Sequence, residues 1–160
     1  MTNRFEQTGF NETGDAADFA DLPGNATTSA VLPIGGSISD VIETSGDRDW
    51  VQVHLIGGTQ YIFDLVRSPV NGYGPISDPY LELYDSSSLL WRSDDDSGGA
   101  LNSRIVFTAP STGTYYLSAS NFSGGTGGYT LSAATPTPLP SLSMDQIAYQ
   151  LADGYWVTSG

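Results

Sequence analysis

Short apolar runs spaced roughly ten residues apart, each closed by Gly, Ser or Pro, constrain this chain more than any other feature. Alternation is clearest in Trp50-Val51-Gln52-Val53-His54-Leu55, where Val51, Val53 and Leu55 share one face. Gly57-Gly58 then turns the chain into Tyr61-Ile62-Phe63-Asp64-Leu65-Val66. Tyr80–Tyr84 and Leu89–Arg92 follow as a hairpin, then Arg104–Thr108, Thr114–Ser120 and Gly128–Ala133. Nothing before residue 140 sustains a helical period. The pattern predicts an all-β fold, an antiparallel, jelly-roll-like β-sandwich.

The ends read differently. Residues 1–27 are acidic and rich in Gly, Asn, Thr and Ala, and are expected to form a flexible lead-in with at most a turn of helix near 15–20. The sandwich is expected over 28–134. Alternating prolines in Thr135-Pro136-Thr137-Pro138-Leu139-Pro140 predict an extended linker over 135–141, because proline cannot join a sheet interior. In 142–160, Ser143 with Gln146 suits a helix N-terminus, Ile147 and Leu151 lie one turn apart, and Gly154 stops the helix. That segment reads as the start of a further domain, mobile together with residues 1–20.

Charge narrows the function. Among 160 residues there are 18 acidic side chains, five Arg, no Lys and no Cys, for a net charge of −13. No basic patch exists to neutralise phosphates, so nucleic acid is excluded as a partner. Apolar runs are too short to span a bilayer, so membrane insertion is not expected. The acidic surface suits a secreted, extracellular and monomeric protein. Absence of Cys removes disulfides and thiolate metal sites.

The densest charge is Asp94-Asp95-Asp96, lying between two strand runs. Strand direction, with a hairpin at Gly57-Gly58, carries Asp47, Asp49, Asp78, Asp94, Asp95 and Asp96 to one end of the sandwich. Such a rim suits Ca²⁺, which takes 6–8 oxygen ligands. The alternative is a solvated acidic rim partnered by Arg48, Arg92 or Arg104. His54 alternates to the face opposite Val53 and reads as a plain sheet residue. Tyr115, Tyr116, Tyr129, Trp50 and Trp91 read as core packing rather than a surface strip. Asp64 and Glu82 read as ordinary strand charges, because no nucleophile or cleft motif accompanies them. No catalytic residue is assigned.

Gly46-Asp47-Arg48-Asp49-Trp50, Ser77-Asp78-Pro79-Tyr80-Leu81-Glu82-Leu83-Tyr84-Asp85, Asp94-Asp95-Asp96-Ser97-Gly98-Gly99 and Gly113-Thr114-Tyr115-Tyr116-Leu117 occur in that order. Together they resemble the bacterial pre-peptidase C-terminal domain, over about residues 21–133. The tail from Met144 to Trp156 resembles the opening of a serralysin-type zinc metalloprotease domain. These resemblances imply a non-catalytic accessory domain of a secreted metalloprotease, assisting folding, secretion or substrate binding. They also imply a second Ca²⁺ position, between the lead-in residues Asp21 and Asn25 and the pair Asp47 and Asp49. Zinc would belong only to a peptidase domain elsewhere, since a single His and no Cys cannot build that site. The competing reading is a carbohydrate- or protein-binding adhesion module, so the expected partners are a protein substrate or an extracellular polymer.

Overall fold

The chain folds into eight strands, one of them, Leu90–Asp94, exposed along almost all its length and held as the partner of Pro79–Asp85. The computed structural model describes residues 21–137; the short helical turn near 15–20, most of the proline linker and the helix expected after it lie outside the described residues. The strands are β1 (Ser37–Ile42), β2 (Arg48–Leu55), β3 (Gln60–Arg67), β4 (Pro79–Asp85), β5 (Leu90–Asp94), β6 (Ser103–Thr108), β7 (Gly113–Asn121) and β8 (Gly127–Ala134). They form two four-stranded antiparallel sheets, in the orders β1-β8-β3-β6 and β2-β7-β4-β5. Successive strands alternate between sheets except at the β4–β5 hairpin, which is the jelly-roll arrangement.

Period-two alternation decides what each sheet buries. Val51, Val53 and Leu55 of β2, Leu81 and Leu83 of β4, and Tyr115, Leu117 and Ala119 of β7 point inward from one sheet. Tyr61, Phe63 and Leu65 of β3, Ile105 and Phe107 of β6, and Tyr129, Leu131 and Ala133 of β8 meet them from the other.

Of the aromatics expected in the core, Tyr115 and Tyr129 lie there, whereas Trp50 packs on Tyr84 and Tyr116 on the outer face of its sheet and Trp91 is 36% exposed. Two further details depart from the sequence reading. The Gly57-Gly58 connection is not a hairpin within one sheet: it carries β2 across the sandwich to β3, which pairs instead with β6 and β8. Gly57 is needed there because an added Cβ would sit 3.1 Å from the backbone of Ser111 and Thr112. β1 is the other departure. Its sequence, Ser37-Ile38-Ser39-Asp40-Val41-Ile42, carries too few apolar residues to announce a strand, and pairing with β8 creates it.

Residues 21–36 lie along the sandwich. Leu22, Ala30 and Ile34 pack on the core, and Leu32 and Thr28 are buried. Gln52 donates its amide to the Ala30 carbonyl and accepts from the Leu32 amide, each at 2.8 Å, so this segment covers the outer edge of β2. Trp50 N–H bonds the Pro23 carbonyl just beyond. Those contacts bring Asp21 to the first turn of β2.

Candidate metal centre

The turn before β2 supplies Asp47, and the first residues of β2 supply Asp49. Asp49 faces the core and is 1% exposed. The β1–β2 connection adds Glu43, and the segment covering β2 adds Asp21. One carboxylate oxygen from each of Asp21, Glu43, Asp47 and Asp49 lies within 4.8 Å of all the others. No other such acidic or His group of three or more occurs among the described residues.

Satisfaction within this group is incomplete. Asp49 Oδ2 accepts from the Tyr129 hydroxyl at 2.7 Å, which ties the two sheets together at this end. Asp49 Oδ1 and Glu43 Oε2 are buried without any hydrogen-bond partner. A buried carboxylate oxygen with no donor costs several kcal/mol unless it is protonated or meets a cation. The electrostatics agree. Burial pushes Asp49 up to about 8, against the lowering bond from Tyr129, and Asp40, Asp47 and Glu43 add to the rise. Asp21 is raised by burial and then by Asp47 beside it. Glu43 is raised by burial and then by Asp40, Asp21 and Asp47. Asp40, opposite Tyr129 in the β1–β8 ladder, is raised mainly by burial. Tyr129 is held neutral, first by its own burial and then by the Asp49 charge.

A cation bound among these oxygens would offset these costs together. Ca²⁺ binds oxygens at about 2.3–2.6 Å, so oxygens sharing one ion lie at most about 5 Å apart. The group meets that spread, and it offers only hard oxygen donors. Monodentate and bidentate carboxylates with water complete 6–8 ligands. The residues therefore fit Ca²⁺, and the donor set does not suit a zinc centre built on His or Cys.

The expected site residues fall into two places. Asp21, Asp47 and Asp49 converge, whereas Asn25 is engaged elsewhere: its Oδ1 accepts from the Thr27 amide at 2.9 Å in a local turn. Asp78 precedes β4, and Asp94–Asp96 end β5 and open the next loop. They lie at the same end of the β2-β7-β4-β5 sheet as Asp47, since Arg48 pairs with Ser120, Tyr80 with Ser120, and Leu81 with Asp94. Three strand spacings, about 14 Å, separate β2 from β5. One ion therefore cannot be shared between Asp47 and Asp94.

Asp94 Oδ2 accepts the Ser97 and Arg104 amides at 2.9 and 2.8 Å, closing the loop. Asp96 is raised by desolvation and by its neighbours Asp95, Asp78 and Asp94. The arginines are used elsewhere: Arg48 pairs with Glu82 and Arg104 with Asp64, while Arg92 donates to the Trp91 carbonyl. Asp64 and Glu82 lie on the outer faces of different sheets, so they cannot act as a catalytic pair. Sequence reasoning missed Glu43. It lies four residues before Asp47, in a turn with no strand signal to aim it.

Comparison with known proteins fits this architecture. A family model, the bacterial pre-peptidase C-terminal domain, matches residues 47–121. Among solved structures, the pre-peptidase C-terminal domain of a collagenase from Bacillus anthracis superposes with a TM-score of 0.50 at 18% identity, over 65% of this chain and 92% of that one. A periplasmic inhibitor of g-type lysozyme from Aeromonas hydrophila is similar at a TM-score of 0.42 and 10% identity, over 67% of this chain and 96% of that one. No curated protein matches the chain. Residues 47–121, from the turn before β2 to the end of β7, match the bacterial pre-peptidase C-terminal domain, and the two-sheet sandwich is built around them.

Proposed function

We propose that the domain is a non-catalytic accessory module of a secreted zinc metalloprotease, and that Ca²⁺ held by Asp21, Glu43, Asp47 and Asp49 locks its N-terminal segment onto the sandwich. The observation that carries the calcium reading is the pair of buried, unpartnered oxygens, Asp49 Oδ1 and Glu43 Oε2, inside a four-carboxylate group. Asp21 belongs to the incoming segment, whereas Asp49 belongs to the core. An ion shared between them joins the two, so the domain holds its position relative to whatever precedes it only when the ion is bound. Calcium concentrations outside cells are high enough to fill modules of this kind, at Kd values around 10⁻⁴–10⁻³ M. The accessory role is supported by the family match and by the serralysin-like residues Met144–Trp156, with the catalytic zinc assigned to the peptidase domain.

This assignment makes the 160-residue chain inert as a protease. Purified protein is expected to leave casein intact with or without added Zn²⁺. Chelator-sensitive cleavage that co-purifies with the chain would overturn the accessory assignment. The calcium reading is tested separately, by melting the chain in Ca²⁺ and in EDTA.

A further inference from the structure

On the outer face of the β2-β7-β4-β5 sheet, next to the carboxylate group, lies a cleft of about 310 Å³. Gly46, Asp47, Arg48, Tyr80, Phe122 and Gly124 form its working surface. Phe122 stands 62% exposed on the β7–β8 loop, and its ring packs against Tyr80 with centroids 5.5 Å apart. A bare aromatic on a loose loop is unremarkable, but this loop is fixed. Phe122 N–H bonds the Asp78 carbonyl at 2.8 Å. The Asn121 side chain donates to Ser77 Oγ at 3.1 Å and accepts from Ser123 Oγ at 3.1 Å. Ser45 Oγ–H reaches across to the Gly124 carbonyl, joining the loop to the turn before β2. Gly124, at φ +75°, already places its Cβ position 3.3 Å from Ser45 Oγ, so a side chain there would disturb this closure. The ring is thus presented before any ligand arrives, and pre-organised groups bind at lower entropic cost.

Chemistry narrows the ligand. Beside the aromatic wall stand a carboxylate acceptor, Asp47, and a guanidinium donor, Arg48, whose charge is balanced by Glu82. Rings next to mixed donors and acceptors suit a molecule with one apolar face and a polar edge. A net charge of −13 disfavours anionic polymers. The cleft is walled on two sides by the 45–47 turn and the 121–124 loop, so it suits a compact ring better than an extended peptide. We infer that it binds one sugar ring of an uncharged glycan, stacked on Phe122, edged by Tyr80, whose ring is tilted 55° to it, and hydrogen-bonded by Asp47 and Arg48. This goes beyond the accessory role and does not depend on it.

The test titrates the 160-residue chain with uncharged hexasaccharides of glucose, mannose, xylose and N-acetylglucosamine, and separately with gelatin, reading backbone amide shifts in Ca²⁺ buffer. At least one sugar is expected to shift the amides of Phe122, Gly124 and Asp47. Phe122→Ala is expected to weaken that binding about tenfold, while its amide spectrum and melting point show that it folds. Phe122→Leu, which keeps bulk but no ring, is expected to lose as much and serves if the alanine variant does not fold. No shift with any sugar, shifts with gelatin only, or sugar affinity unchanged in both variants would each overturn the proposal. The calcium-dependent melting point, read on the same samples, judges the metal reading independently.

Discussion

In EDTA the domain is expected to lose stability steadily as pH rises from about 4 to about 8. Asp49 carries the effect. Its folded pKa is pushed up to about 8 from 3.8, so between those values the folded state holds a proton that the unfolded state has released. Stability from that proton is complete below about 4 and is lost as pH climbs through about 8. The slope reaches at most about 1.4 kcal/mol per pH unit for one group. Asp21, Asp40 and Glu43 are raised as well and add in the same sense. Asp85, lowered by bonds from the Leu89 amide and the Trp91 indole, acts oppositely and only at the acid end of the range. Saturating Ca²⁺ is expected to remove the decline, because the ion takes the ionised carboxylates and displaces the proton. Urea melts at unit pH steps in EDTA and in Ca²⁺ measure both curves. A stability in EDTA that rises from pH 4 to 8 would contradict the burial of Asp49 as a strained acid.

Replacing Asp49 by Asn is expected to have opposite effects in the two buffers. The amide keeps the shape and can still accept from Tyr129, but it carries no charge. In EDTA at pH 8 the variant is expected to melt above the native chain, because a buried ionised oxygen and its repulsion from Asp47 and Glu43 are gone. In Ca²⁺ the order is expected to reverse, since an essential negative ligand has been lost. Asp95→Asn combined with Asp96→Asn serves as the comparison: these carboxylates follow Asp94 at the end of β5, a strand three spacings from β2, and the calcium-dependent gain is expected to survive their loss. If the double variant loses the gain and Asp49→Asn keeps it, the ion sits at the β5 end instead.

Six strands, β2–β4 and β6–β8, were readable because each half-buried strand must repeat every second residue, whereas β5, exposed along almost all its length, was readable only as the hairpin partner of β4. β1 was not, since its two fully buried residues, Val41 and Ile42, are adjacent rather than alternating, and pairing with β8 completes it. Strand direction placed the acidic residues at one end correctly, because direction survives whether Gly57-Gly58 makes a hairpin or a crossing. Lateral distance did not follow from direction. It depends on the order β2-β7-β4-β5, which puts two strands between Asp47 and Asp94 and which no local signal encodes. Charge density points to Asp94–Asp96, where Asp94 accepts the Ser97 and Arg104 amides. The sparser set at Asp21, Glu43, Asp47 and Asp49 differs by burial, a property of the packed sheets. Family resemblance pointed to Asp21, Asn25, Asp47 and Asp49, of which Asn25 is turned to the Thr27 amide instead; Glu43 emerged only once β1 and its turn were placed.

The most direct test of a calcium-locked domain is the melting temperature in about 10 mM Ca²⁺, roughly a hundredfold excess over a Kd of about 10⁻⁴ M, against EDTA at pH 7.5, with ionic strength matched by NaCl and amide shifts recorded in both. An ion that binds only the folded state adds about 2.7 kcal/mol at a hundredfold excess over Kd. For a domain of this size that raises the melting temperature by about 10 °C. That rise is expected, with calcium-specific shifts at Asp21, Glu43, Asp47 and Asp49. Equal melting temperatures and unchanged shifts at those four residues would contradict the calcium lock.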